Sequence, residues 1–190
     1  DGRTSFNLNN FSPIGTQTRP FYGSFDGNNV EFILNINQTG NYIGLFGHFG
    51  QGTIKNLSVS GSVKGGTYVG GVVGYKESGT LQNVYNHATI TGTAQVGGVV
   101  GRNQGGTVDT AYNNASVTAT TNYAGGITGY LERGTISNTY NRGEILAAAY
   151  AAGIVGAAQH TNTITNSYSS GLVSANNYVA GVVFESDNRY

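Results

Sequence analysis

The heptamer Tyr68-Val69-Gly70-Gly71-Val72-Val73-Gly74 recurs along most of the chain. Further copies are Ile43–Gly47, Val96–Gly101, Tyr123–Gly129 and Tyr150–Gly156, with an altered last copy at Tyr178–Phe184. The closing positions are Gly47, Gly74, Gly101, Gly129, Gly156 and Phe184, so successive steps are 27, 27, 28, 27 and 28 residues. A fixed period in this range is the signature of a solenoid, whose units bury their apolar faces only by stacking on one another.

One unit reads as the heptamer, a polar turn Tyr75–Gly79, then Thr80–Asn86, then His87–Gly92. This pattern predicts three short strands with turns between them and no helical periodicity. The expected fold is all-β: a parallel β-helix or β-solenoid of about six to seven coils, stacked at about 4.8 Å into a rod of roughly 30 Å. The general preference for right-handed crossovers favours a right-handed coil.

Stacking predicts columns of like residues, and they are present. Thr53, Thr80, Thr107, Thr135 and Thr163 align, beside Ile54, Leu81, Val108, Ile136 and Ile164. Asn56, Asn83, Asn138 and Asn166 align, with Thr110 as the exception. Tyr85, Tyr112, Tyr140 and Tyr168 follow, with Ser58 in the first unit; Val63, Ile90, Val117, Ile145 and Val173 close the set. The aliphatic columns are expected to form a continuous core. The asparagines are expected to hydrogen-bond along the stack at an inner corner, and the tyrosines, of the same parity as the aliphatic column, to stack on one another.

Residues 1–40 lie outside the repeat phase and are expected to supply an N-terminal cap and first strand segment; residues 41–190 carry the repeats as one continuous domain. Asp26-Gly27-Asn28 reads as a tight turn, and the alternation after it (Val30, Phe32) as a half-buried strand. The two prolines, Pro13 and Pro20, both fall near the start, leaving the ladder hydrogen bonds of the repeats intact.

The units Val69–Gly74 and Gly79–Asn86 resemble the GLUG-motif repeat, and Ile43–Gly47 followed by Gly52–Leu57 looks like the opening unit of such an array. Phe21–Asn28 resembles the segment that commonly precedes it. The resemblance covers about residues 20–184. It implies a β-solenoid of a bacterial surface or secreted protein, as found in large adhesins and in non-catalytic regions of immunoglobulin-A-cleaving metallopeptidases. It brings no catalytic residues. Two departures are Ala151-Ala152-Gly153 and Ala180-Gly181 at the double glycine, and Phe184 at the closing one.

Enzymatic chemistry finds little support in the residues. A glycosidase needs two converging carboxylates, yet Asp1, Asp26, Asp109 and Asp187 share no column. Glu77 and Glu132 do share one, with Gln104 between and Gln159 after. Two coils apart is about 10 Å, and a solvated turn face with Lys76 and Arg133 as neighbours accounts for them. His48, His87 and His160 fall in three columns with no ligand spacing. No helix follows the glycine heptamer, so it is not a phosphate loop. The irregular column Lys55, Gln82, Asp109, Ser137, Thr165 beside the threonines argues against a flat ice-binding face.

Composition narrows the partners. Charged residues are 9% of the chain, with nine lysines plus arginines against nine aspartates plus glutamates, so no field draws nucleic acid or an anionic membrane. There is no cysteine, hence no disulfide or thiol chemistry. No apolar run is long enough for a spanning helix, and the chain carries no signal-peptide pattern. It starts at Asp1 and contains no methionine, which suggests a processed product or a piece of something longer.

The expectation is therefore a non-enzymatic structural or adhesive module, extracellular or on a cell surface, needing no cofactor. Its partners would be a host protein or glycan, or copies of itself end to end through open coil ends. A carbohydrate-active enzyme is the third reading. The variable turns between the glycine and threonine strands offer a contact column of Tyr75, Arg102 and Tyr130.

Overall fold

The computed structural model describes residues 4–9 and 11–185. Among these there are 21 strands and no helix. They stack in parallel as a β-solenoid of about seven turns. Residues 1–3, 10 and 186–190, the outer ends of the two expected segments with Asp1 and Asp187, lie outside the described residues.

The two middle coils each contain four strand segments where the repeat predicted three. In one coil these are Gln95–Gly97, Val100–Asn103, Thr107–Asn113 and Val117–Ala119. The extra corner falls inside the heptamer, at Gly98-Val99. A Cβ on Gly98 would lie 2.2 Å from the Gly126 carbonyl oxygen and 2.6 Å from Asn113 Cγ. Only glycine lets the chain turn this close to the next coil and to that side chain.

A second corner uses a different device. Asn56, Asn83, Thr110, Asn138 and Asn166 all adopt left-handed backbone, with φ of 55°, 53°, 51°, 53° and 49°. Asparagine tolerates this region because its short side chain bonds locally. The corner also resets side-chain parity. After Asn83 it is Val84 and Asn86 that are buried, while Tyr85 lies half outside. The tyrosine column is thus an outer one, and the expected inner placement of the Asn56 column is corrected: Asn138 and Asn166 are exposed.

The boundary expected at residue 40 marks no break in the stack. Phe21–Asn37 runs parallel to Phe46–Lys64 from Phe21↔Phe49 to Asn37↔Lys64, with two register shifts, and Ser5–Asn9 pairs with Glu31–Asn35. The early segment therefore adds coils and closes the core at once. Phe21 and Phe25 meet Phe46 at ring centroid distances of 5.2 and 5.3 Å, and Phe25 meets Phe32 at 5.9 Å.

Inside, the aliphatic columns are continuous. Ile54, Leu81, Val108 and Ile136 are each 0% exposed, and so are Ile90, Val117 and Ile145. A polar column runs among them. Asn86, Asn113 and Asn141 are each 0% exposed. Asn86 Nδ2 donates to Asn113 Oδ1 at 2.6 Å, and Asn113 Nδ2 to Asn141 Oδ1 at 2.7 Å. Each also closes a local turn; Asn86, for example, accepts from the Ala88 N–H at 3.1 Å and donates to the Ala88 carbonyl at 2.9 Å. The second glycine of the heptamer makes room for this column: a Cβ on Gly71 would lie 2.4 Å from Asn86 Oδ1.

Candidate functional site

The column Tyr75, Arg102, Tyr130 is in register: Tyr75 pairs with Arg102 and Arg102 with Tyr130. These residues sit on the strand segments Val73–Lys76, Val100–Asn103 and Thr128–Leu131, where turns had been expected. Strand alternation continues past the closing glycine, so Tyr75 faces outward and Lys76 inward. Lys76 is 0% exposed, which corrects its expected place on a solvated turn.

Around the three residues stands a second column, of tyrosines that open the heptamers. Tyr123 pairs with Tyr150, and Tyr150 with Tyr178, while Gln95 takes the place beside Tyr123. Tyr42 meets Tyr68 at 5.1 Å and Tyr75 at 5.5 Å, and stacks on His48 at 5.4 Å. Tyr130 meets Tyr123 at 5.6 Å. Arg102 lies over three rings, those of Tyr130, Tyr75 and Tyr68, at 5.0, 5.8 and 5.9 Å. The two columns make one aromatic face along the solenoid. The signal for its second half was in the sequence, as a tyrosine seven residues before Tyr75 and again before Tyr130.

Two carboxylate contacts frame this face. Glu77 Oε1 lies 2.9 Å from His48 Nε2, and Arg102 donates to Glu132 Oε2 at 2.8 Å. Each carboxylate is held by a base one coil earlier. Burial works against the charged Arg102 guanidinium, but the Glu132 bond and the nearby phenols outweigh it and hold its pKa above the ordinary value. Burial pushes the phenols of Tyr42, Tyr75, Tyr123 and Tyr130 up.

The remaining ladders lie elsewhere on the surface. Thr53, Thr80, Thr107, Thr135 and Thr163 pair in sequence, half-buried up to Thr135. Tyr85, Tyr112, Tyr140 and Tyr168 stack at 4.2, 4.9 and 5.5 Å, with interplanar angles of 17°, 13° and 15°. Rings stacked along the axis cover one another's faces and turn only their edges outward. Asn83 Nδ2 donates to Asn56 Oδ1 at 3.0 Å and Asn166 Nδ2 to Asn138 Oδ1 at 3.2 Å. At the Thr110 break, Asp109 Oδ1 accepts from Asn138 Nδ2 at 2.8 Å in place of an asparagine. Among the described residues no three His, Cys, Asp or Glu side chains gather as a metal site.

No family model matches the chain, and no curated protein matches it. A solved structure does: a protein described as a "putative immunoglobulin A1 protease from Bacteroides ovatus" is similar over 96% of this chain and 78% of its own, with a TM-score of 0.65 and 17% identity. At that identity the likeness is one of fold: this chain is a β-solenoid built like part of that protein.

Proposed function

We propose that this chain is a structural and adhesive module of a bacterial cell-surface or secreted protein, with no catalytic role. The observation that carries this reading is the regular stack itself, with one long side given over to aromatic rings and an arginine. Tyrosine and arginine are the residues that anchor contact surfaces, since they bring large area at low entropic cost. The solved neighbour's description fits a bacterial setting, and the GLUG resemblance points the same way. Glu77 and Glu132 are each engaged by a base, which leaves neither poised as a free acid or nucleophile.

The test is a solid-phase screen of the purified chain against host extracellular proteins and a glycan array, with protease and glycosidase assays alongside. Saturable binding to a host molecule without turnover is expected. Hydrolysis abolished by Glu77→Gln or Glu132→Gln would overturn the reading.

A second reading, a filament subunit, is favoured by the last coil. Leu172, Tyr178 and Val179 are 66%, 52% and 54% exposed there, and strand edges of this kind recruit another strand. Electron microscopy over a concentration series separates the two, since long uniform filaments are expected only of the second.

A further inference from the structure

At the N-terminal end of the aromatic face the surface opens into a groove of about 420 Å³. It lies between the loop Ser12–Gln17 and the link that joins strand Phe21–Asn37 to strand Phe46–Lys64. Its polar lining comes from Ser12, Thr16, Gln17, Gln38 and Asn41, and Tyr42 supplies an aromatic wall. A second groove of about 450 Å³ shares Gln38 and continues past Asn35 and Asn37. Among the described residues no charged side chain lines either one.

Two of the lining side chains are engaged: Asn41 Oδ1 accepts from the Thr67 N–H at 2.8 Å and Thr16 Oγ1 from the Arg19 N–H at 3.2 Å. The amides of Gln17, Gln38, Asn35 and Asn37 make no side-chain hydrogen bond to the described residues, unlike the asparagines of the two columns. The backbone donors here are committed: the N–H groups of Gln38, Tyr42 and Ile43 bond to Lys64, Thr67 and Tyr68 of the following coil. Recognition in the groove therefore runs through side chains, which disfavours a peptide added as a strand.

Tyr42 joins the groove to the face. It is the first ring of its column, and its ring partners, His48, Tyr68 and Tyr75, all belong to its own coil or the next. Among the described residues Tyr42 is the one aromatic residue lining the first groove, and none of them places a ring above it in the column. Its φ of 62° is matched by 61° at Tyr68, so the left-handed turn is shared by the first two rings of the column.

Uncharged amides, hydroxyls and an aromatic wall in a groove of this size match one ligand chemistry. Amides donate and accept at once, as paired sugar hydroxyls do, and a ring offers an apolar wall to the C–H face of a pyranose. We propose that the joined grooves bind a neutral oligosaccharide, with Tyr42 as the stacking wall and Gln17, Gln38, Asn35 and Asn37 as the hydroxyl-reading groups. This deepens the adhesive reading and rests on it. A phosphorylated or sulfated ligand finds no cation among the described lining residues.

The experiment is an array of neutral hexose and N-acetylhexosamine oligosaccharides, printed beside sialylated, sulfated and uronate-containing ones, followed by calorimetry on the hits. Neutral chains are expected to bind, and each of Gln17→Ala, Gln38→Ala and Tyr42→Ala to weaken binding about tenfold or more. The two glutamine variants remove amides that hold nothing in the fold, so they read the site even if Tyr42→Ala unfolds. Tyr168→Ser, at the far end, is expected to bind as the parent chain does. Preference for the charged glycans, or neutral binding untouched by the glutamine variants, overturns the proposal. So does silence across the whole array; host-protein binding in the separate screen would then still stand for the adhesive module.

Discussion

The solenoid uses asparagine in two columns only three residues apart, and they do opposite work. Asn83 sits at a corner with φ of 53°, half-exposed, bonded to Asn56 of the coil before. Asn86 is sealed in the core at 0% exposure and bonded to Asn113 of the coil after. At the corner the residue is chosen for its backbone, and the ladder bond is partly shared with water. In the core it is chosen for its side chain, whose amide satisfies a local turn and the next coil together. A buried network of this kind is costly to break, because no water reaches the donors and acceptors that lose a partner.

The largest expected effect follows from that difference. Asn113→Ala removes the bonds to Asn86, Asn141 and both backbone groups of Ala115. The expected loss is about 3–5 kcal/mol in urea unfolding followed by circular dichroism. Asn83→Ala is expected to lose about 1–2 kcal/mol, the penalty of a left-handed residue with a plain Cβ. Equal losses at the two positions would break the comparison.

Gly98→Ala attacks the same column from the glycine side. Its new methyl meets the Gly126 carbonyl and Asn113 Cγ, so a loss of about 2–3 kcal/mol is expected. Combined with Asn113→Ala, the total should fall short of the sum, since one of the two clashes has gone. Strict additivity would mean that the glycine and the asparagine do not share a space.

Lys76 sharpens the lesson with a charge. Its ammonium is buried with only Asn103 Oδ1 at 3.3 Å and the Gly105 carbonyl for acceptors, and burial lowers its pKa to about 7. In the unfolded chain the value is about 10.4. Between these values the unfolded state holds a proton that the folded state has lost, so stability rises with pH across that window and is flat below it. The slope is about 1.4 kcal/mol per pH unit, or about 2–3 kcal/mol from pH 7 to 9. Further up, the raised phenol pKa values of Tyr42, Tyr75, Tyr85, Tyr123 and Tyr130 reverse the trend. There the unfolded tyrosines ionise first. Lys76→Met is expected to flatten the pH 7–9 segment; a slope unchanged by it would assign the dependence to another group.

The repeat made the stack, its period and the pairing of its columns legible, because parallel coils put residues one period apart side by side. It did not show which columns point inward. Parity arguments assume an unbroken strand, and the left-handed corner at Asn83 turns the next residues over, so Tyr85 reads as inner and Asn86 goes unnoticed. The same assumption in reverse hid Lys76, where the strand continues past Gly74 into what looked like a turn. Tyr75, Arg102 and Tyr130 were visible as a column, but Tyr42, Tyr68 and Tyr123 beside them were not. They lie across a corner: a tyrosine stands seven residues before Tyr75 and before Tyr130, but Gln95 fills that place before Arg102, so this second column is broken in the sequence.

Thr110 gives the finest test of what the corner demands. It is the one β-branched residue of the outer column, held at φ of 51°. A branched side chain at positive φ crowds its own backbone, where asparagine does not. The ladder also breaks here, with Asp109 reaching to Ser137 and Asn138 in its place, and those bonds lower the Asp109 carboxyl pKa. Thr110→Asn relieves the backbone and restores an amide between Asn83 and Asn138. The variant loses only the Thr110 hydroxyl bond to Asp109 Oδ2, on a half-exposed surface. A gain of about 0.5–1 kcal/mol is expected in the same unfolding assay. A gain equally large for Thr110→Gly would show that the corner asks for backbone freedom alone. A gain confined to Asn would show that the outer ladder, though wet, still adds to the stack.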